Sequence, residues 1–257
     1  MNRMKTGLST LLTTSALLLA CSASGRGAET NDVRKKFIAG TACPGNDDSD
    51  VMVKVGPVCV DVYEASIWDS PSGGNQLLGD LGCSAHANDC TNVFARSVEG
   101  ITPRGGINWF QAQQACKNAG KRLLSNAEWQ MAVAGTPDPD AADDKATTCN
   151  TATFVPNASG SRSQCVSNHG VYDMVGNMWE WVEDWQPLSG ACAPSIYNSG
   201  DANCLAGAAV SSGPGALLRG GWYGWGPFGG VFSVFNAWPP DYSFASLLPM
   251  IGFRCAR

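Results

Sequence analysis

Hydrophobic residues alternate with others from Val51 to Tyr63, at Val51, Val53 and Val55 and again at Val58, Val60 and Val62. A period of two lines one face of a sheet, and Gly56-Pro57 interrupts it, so the stretch predicts two strands joined by a turn. The period changes after residue 100. Trp109, Ala112, Ala115, Cys116 and Ala119 follow a helical repeat. Asn108 with Gln111 three positions on makes a capping box, and Gly120 supplies the stop. A second box, Ser125-Asn126-Ala127-Glu128, starts a short helix to about Ala134, ended by Gly135-Thr136-Pro137. From Asp138 onward no long helix is predicted; loops, short strands and disulfides are expected to dominate. Pro71 to Asp89 is rich in Gly, Asn and Ser and reads as a loop pinned by Cys83 and Cys90.

The densest chemistry lies in Gly170 to Trp185, which holds three tryptophans and four acids in sixteen residues. Trp179, Trp181 and Trp185 are read as neither a helix stripe nor a single strand face, so an irregular aromatic turn is expected. Asp173, Glu180 and the carbonyls of Gly176 and Met178 form a set of hard oxygen donors. Calcium takes six to eight such oxygens and mixes carboxylates with backbone carbonyls. Acids that merely cap the turn or face water are the competing account.

Composition narrows the class. The chain has 257 residues, 44% hydrophobic and 15% charged, ample for a large core, and no linker or repeat divides it. Thirty glycines and 14 prolines favour a turn-rich fold over a helical bundle. The net charge of -5 and the lack of any basic run argue against a nucleic-acid partner.

Met1 to Ala20 reads as an export signal, with Arg3 and Lys5 ahead of the apolar run Leu8 to Ala20. The run is short for a membrane span. It ends in Leu18-Leu19-Ala20-Cys21, which resembles a bacterial lipobox. Residues 1–20 are therefore expected to be a lipoprotein signal peptide, Cys21 the lipidated first residue, 21–40 a tether, and 41–257 the folded domain. The expected location is the cell envelope, with Ser22 pointing to the outer membrane and the lipid anchor as the only membrane contact. Of 11 cysteines, ten remain besides Cys21, an even set expected to be disulfide-bonded in an exported chain. Connectivity does not follow from the count. Sequence-local pairs at 43–59, 83–90, 149–165 and 192–204 would leave 116–255. With no Cys-x-x-Cys and only His86 and His169 to help, zinc is not expected.

Several ordered motifs resemble the sulfatase-modifying factor family, to which the formylglycine-generating enzymes belong. They are Ile107-Asn108-Trp109, Ala115-Cys116, Ala119-Gly120-Lys121-Arg122-Leu123, Ala127-Glu128-Trp129, the stretch Gly170 to Trp181, Leu218-Arg219-Gly220-Gly221 and Ile251-Gly252-Phe253-Arg254-Cys255. The resemblance implies an α+β, C-type-lectin-like domain of the formylglycine-generating-enzyme type, disulfide-rich and poor in regular structure. It also implies a structural calcium held by Asp173, Gly176, Met178 and Glu180, with Asp173 where the family usually has Asn. A second calcium site in the family starts at an asparagine matching Asn150, but its other ligands do not align. A family disulfide would join Cys116 to Cys255.

The family's copper cysteines follow Arg-Gly-Gly, and their positions fall here at about Trp225 and Gly230. No cysteine lies between Cys204 and Cys255, so copper is not expected, since copper(I) requires soft thiolates. The family's iron branch uses three histidines partly from another domain, and this chain has two, so iron is not expected either. The segment instead carries Trp222, Tyr223, Trp225, Phe228, Phe232, Phe235, Trp238, Tyr242 and Phe244 among small polar residues, a composition of binding loops. About half of these rings are expected in the core. The C-terminal part also resembles the variable lipoproteins of diversity-generating retroelements. The expectation is a non-oxidase domain binding a protein or glycan ligand through this segment. The alternatives are an oxidase acting on protein cysteine or another thiol, and a purely structural envelope protein.

Overall fold

The computed structural model describes residues 43–139, 142–190, 204–208, 213–224, 226, 229–236, 238–241 and 250–257. The signal peptide, Cys21, the tether, Cys192, Trp225, Phe228, Tyr242 and Phe244 lie outside these residues, as does the side chain of Cys204.

The alternating stretch forms strands β1 (Met52–Val55) and β2 (Val58–Asp61), paired antiparallel across a turn at Gly56. Strands β3 (Ser66–Trp68) and β4 (Phe94–Arg96) form a separate two-stranded sheet. Helix α1 (Trp109–Asn118) has both arms of its capping box, and it buries Trp109, Ala112, Ala115 and Cys116. Its end is a Schellman turn: Lys121 N–H donates to Cys116 O (2.8 Å) and Gly120 N–H to Lys117 O (2.9 Å). Gly120 takes φ +68°, which a residue with a Cβ would resist. Strand β5 (Arg122–Leu123) leads to helix α2 (Asn126–Ala132), whose Ser125/Glu128 capping box is also complete.

The aromatic-acid stretch departs from the sequence expectation. Trp179–Trp185 is a strand, β6, and its three tryptophans all belong to or pack against one core cluster. Positions 179, 181 and 185 share the parity of a single strand face. The irregularity is real but local, a register shift between Trp181 and Trp185 against the neighbouring strand. Strands β7 (Leu188–Gly190) and β8 (Cys204–Ala206) pair with each other, and β9 (Ala216–Arg219) pairs with β6. Beyond them come β10 (Val234–Phe235), β11 (Ile251–Phe253) and β12 (Cys255–Ala256).

Two four-stranded sheets organise the domain, ordered β1-β2-β12-β5 and β10-β9-β6-β11. The C-terminal residues thread both, since β11 lies parallel to β6 while β12 pairs with β2 and β5. Arg254 alone separates them. One core cluster fills the space between α1, β6 and β9, and a second packs α2 against the first sheet and the residue 171–175 turn. Four disulfides, Cys43–Cys59, Cys83–Cys90, Cys116–Cys255 and Cys149–Cys165, use every cysteine whose side chain is described. Cys116–Cys255 spans 139 residues and ties α1 to β12. On a chain-entropy account, a loop of this size contributes roughly 5 kcal/mol.

Where the first sheet meets the end of α1, the fully buried ammonium of Lys121 lies 2.6 Å from Asp50 Oδ1 and 2.8 Å from Asp61 Oδ1. Burial pushes the Asp61 carboxyl up to about 6 against the pull of Lys121. Lys121→Met strands both carboxylates, and it is expected to remove roughly 3–5 kcal/mol of unfolding free energy. Protonation then favours the folded state, because the buried Asp61 carboxyl binds its proton more tightly than unfolded aspartate, which titrates near 4. The deficit is therefore expected to be larger at pH 8 than at pH 5, as measured by guanidinium denaturation at both.

Candidate functional site

The candidate site is a buried polar knot around the turn Asp173 to Met178. Three residues of this turn take left-handed backbone: Asp173 (φ +56°), Gly176 (φ +73°) and Asn177 (φ +53°). At Gly176 a Cβ would sit 2.2 Å from the carbonyl oxygen of Asn150, so no larger residue fits. Asn177 is the hub of the turn. Its amide N–H donates to Asn150 O (2.8 Å), and its Oδ1 accepts from Asn150 Nδ2 (3.0 Å) and Asn157 N (2.8 Å). Its Nδ2 donates to Glu64 Oε2 and to Asn157 O (3.2 Å). Asn150 therefore sits against the same turn, and its side-chain oxygen accepts from Thr153 Oγ1 (2.5 Å).

Glu64, just beyond β2, accepts the Met178 amide at 3.0 Å and is buried. Asp173 Oδ2 accepts the Gly160 amide at 2.6 Å. Glu180 on β6 takes a forked hydrogen bond from Arg254, with Nε at 2.8 and 2.9 Å and Nη2 at 2.5 Å, and its Oε2 accepts Trp129 Nε1 at 2.8 Å. The other Arg254 donors reach the carbonyls of Tyr172 (2.9 Å), Asp61 (3.2 Å) and Val62 (3.3 Å). The Trp129 ring in turn carries the Arg219 guanidinium, 4.3 Å from its centroid.

The electrostatics of this knot are lopsided. Glu64, Asp173 and Glu180 are buried around one forked cation, Arg254. Burial, then the charges of Asp173 and Glu180, push Glu64 well above the usual carboxylate range. Burial likewise pushes Asp173 up to about 6, against the Gly160 hydrogen bond and the pull of Arg254. Buried negative charge of this kind is relieved by protonation or by a cation. Calcium suits the donors, since the Asp173 carboxylate, the Gly176 and Met178 carbonyls and the Glu180 carboxylate are all hard oxygens. Glu180 is the donor most engaged elsewhere, with both oxygens already accepting from Arg254 or Trp129. Among the described residues, Cys83, Asp89 and Cys90 are the one set of three metal-ligand atoms that converge. Its sulfurs are joined in a disulfide and offer no thiolate.

Sequence reasoning placed Asp173, Gly176, Met178, Glu180 and Asn150, and the fold brings all five to one turn or its flanks. It passed over Glu64, Asn177 and Arg254 as members of the knot. A single acid inside the apolar run Val62-Tyr63-Glu64-Ala65 was the available signal for Glu64. Of the proposed ligand-binding rings, Trp222 and Tyr223 are buried in the core, while Phe235 and Trp238 are half-buried against it. Phe232, in the same segment but not one of those proposed contacts, is the exposed ring among its described residues, at 80%.

Arg219 closes this region from the β9 side. Its Nη1 donates to Asn126 Oδ1 (2.6 Å) and its Nη2 to Gln130 Oε1 (2.5 Å), with further bonds to the carbonyls of Ser233 and Val231. Among the described residues no carboxylate pairs with it, and burial lowers its basicity. Gln130→Glu would turn this cation-to-amide hydrogen bond into an ion pair, a gain offset in part by loss of the Gln130 Nε2 donor to Val231 O (3.2 Å). It is expected to stabilise the domain by about 1 kcal/mol, read as a rise in denaturation midpoint without a change in slope.

Comparison with known proteins agrees with this architecture. Residues 82–257 match the sulfatase-modifying factor enzyme 1-like domain. A segment of 85 residues is 32% identical to serine/threonine-protein kinase pkn1 of Chlamydia caviae, covering 32% of this chain and 14% of that protein. A segment of 89 residues is 33% identical to Pkn1 of Chlamydia trachomatis serovar L2, with the same coverage. The chain thus spans a small part of the length of these curated relatives. Among solved structures, the Major Tropism Determinant M1 variant superposes with TM-score 0.52 at 18% identity, over 82% of this chain and 53% of that one. The U1 variant gives 0.50 at 19% identity with the same coverage. PvdO from Pseudomonas aeruginosa gives 0.44 at 17% identity, over 84% of this chain and 88% of that one. At such identities the structural likeness speaks to the fold, a C-type-lectin-like α+β domain. With the family match spanning α1, α2, the Asp173–Met178 turn and both closing strands, the chain belongs to the sulfatase-modifying factor enzyme 1-like domain family, the family of the formylglycine-generating enzymes.

Proposed function

We propose that this chain is a calcium-stabilised binding domain of the formylglycine-generating-enzyme type, carried on the cell envelope by a lipid on Cys21 and not working as a copper oxidase. The observation that carries this reading is the chemistry of the segment after Arg219-Gly220-Gly221. It presents aromatic rings and no sulfur where the family's copper ligands would fall, and every cysteine with a described side chain is in a disulfide. A thiol oxidase needs free thiolates to hold soft copper. A binding scaffold needs rigid apolar groups at its surface.

Part of the segment meets that second need. Phe235 and Trp238 pack together at 4.8 Å between centroids and are half-buried, while Phe232 and Val234 stand beside them in solvent. Trp222 and Tyr223 support this surface from within the core. The ligand is a protein or a glycan. Calcium would be held by Asp173 and by the carbonyls of Gly176 and Met178, with Glu180 behind them. Its role would be to neutralise the buried acids and set the turn.

Elemental analysis of the exported, oxidised protein tests the reading, combined with thermal melting before and after chelation. About one calcium per chain, no copper, and a melting temperature lowered by roughly 5–10 °C on chelation are expected, the shift corresponding to calcium at about a hundredfold excess over its dissociation constant. Asp173→Ala is expected to abolish the calcium and the chelation response together. Stoichiometric copper would overturn the non-oxidase reading and point to Cys192 and Cys204. Calcium-free protein with an unchanged melting curve would leave the turn held by Arg254 and its hydrogen bonds alone.

A further inference from the structure

Outside the C-terminal segment, exposed large hydrophobics stand singly at Leu78, Met131 and Leu188 and side by side at Phe154 and Val155. Phe154 is 64% exposed and Val155 57%. Phe154 also has φ +62°, a region that glycine or asparagine adopts far more readily than a bulky side chain. The ring is not buried in compensation, so folding gains little from it. The surroundings impose this conformation. Phe154 N–H donates to Tyr223 O (2.9 Å), and Asn150 Nδ2 (3.0 Å) and Thr153 Oγ1 (2.7 Å) both donate to Val155 O. The Thr151 and Ala152 amides are fixed on Asp143 Oδ2 at 3.2 and 3.1 Å. A strained, exposed aromatic that its neighbours hold in place is a mark of a functional contact.

A second tip stands close by. The Gly230–Ser233 turn is closed by Ser233 N–H to Gly230 O (3.0 Å) and clamped by Arg219 Nε on Ser233 O (2.9 Å). It projects Phe232, and Val234 follows it, 55% exposed. The two loops touch: a Cβ at Gly229 would lie 3.3 Å from Thr151 Cγ2. Their rim is acidic only on balance: Asp138 Oδ2 lies beside Gly230, and Asp143 and exposed Asp144 stand against exposed Lys145 and against Arg162, whose Nη1 is 3.4 Å from Asp143 and 3.7 Å from Asp144. The described N-terminal end attaches elsewhere, through Cys43–Cys59 on β2 and Arg257 Nη1 on Pro44 O (2.9 Å). Those residues belong to the first sheet, whereas β10 is the edge of the second farthest from β11.

We infer that Phe154-Val155 and Phe232-Val234 form one rigid apolar docking surface for a protein partner that offers an apolar pocket with a basic rim. The inference rests on the domain being a binding scaffold and extends its surface to a loop outside the C-terminal segment. The aliphatic Val155 and Val234 favour a protein pocket over stacked sugar rings. The acidic balance of the rim favours it over an anionic membrane surface.

The probe is a random linear-peptide library displayed on phage, panned on the mature chain, with selected peptides then measured as synthetic peptides. Enriched peptides are expected to combine aromatic or aliphatic residues with Lys or Arg and to weaken as salt rises. Phe154→Asn is expected to weaken them at least tenfold while raising the melting temperature, because it relieves the backbone. Phe232→Ser is expected to weaken them similarly. Undiminished binding to Phe154→Asn alongside loss in Phe232→Ser would overturn the shared surface yet keep the C-terminal segment as a binding site. Peptides bound indifferently to both variants, or no enrichment, would overturn the inference, and no enrichment would leave the scaffold reading to a glycan ligand. A lowered melting temperature for Phe154→Asn would make Phe154 a structural residue and overturn the inference. So would Phe154-dependent sedimentation with anionic vesicles, or a wild-type dimer that Phe154→Asn dissociates.

Discussion

The forked pair between Glu180 and Arg254 is the contact on which the rest of this domain depends. Both groups are about 1% exposed, and isolated charges at such burial would be very costly. Arg254 is the single residue between β11 and β12, so its side chain fixes where the chain leaves one sheet for the other. Its donors also hold the carbonyls of Asp61, Val62 and Tyr172, which ties the end of β2 and the entry to the Asp173 turn to the same guanidinium. The disulfide Cys116–Cys255 then fastens the next residue to α1. A C-terminal segment in few ladder hydrogen bonds is thereby made the keystone of both sheets.

Around that pair the domain replaces regular structure with polar hubs. Asn177 and Glu64 satisfy amides and carbonyls that a helix or sheet would otherwise pair, as buried polar groups require. Among the described residues, short strands and two short helices leave much of the backbone to be satisfied in this way. The disulfides limit the entropy of the loops so formed.

The fold does not by itself choose between catalysis and binding. What distinguishes this chain is where sulfur and aromatic rings lie. Its described cysteines serve architecture, and its rings divide between a supporting core, with Trp222 and Tyr223, and a surface edge, with Phe232 and the half-buried Phe235 and Trp238.

Local physics made much of the molecule legible in the sequence. The β1–β2 hairpin followed from a period of two and a Gly-Pro break. Both helices followed from capping boxes and a glycine stop, because those signals act within a few residues. Resemblance of ordered motifs supplied the family and pointed to the Asp173–Glu180 stretch. Other features were decided only by tertiary structure. The tryptophan stretch became a strand because β9 and β11 flank it on both sides, which no local period reports. Glu64 joined the knot because β2 delivers it to Met178 across 114 residues of chain. The exposure of Phe232 and Phe154, against the burial of Trp222 and Tyr223, depends on which loops meet. In sequence, an aromatic ring in a core and one on a docking surface carry the same signal.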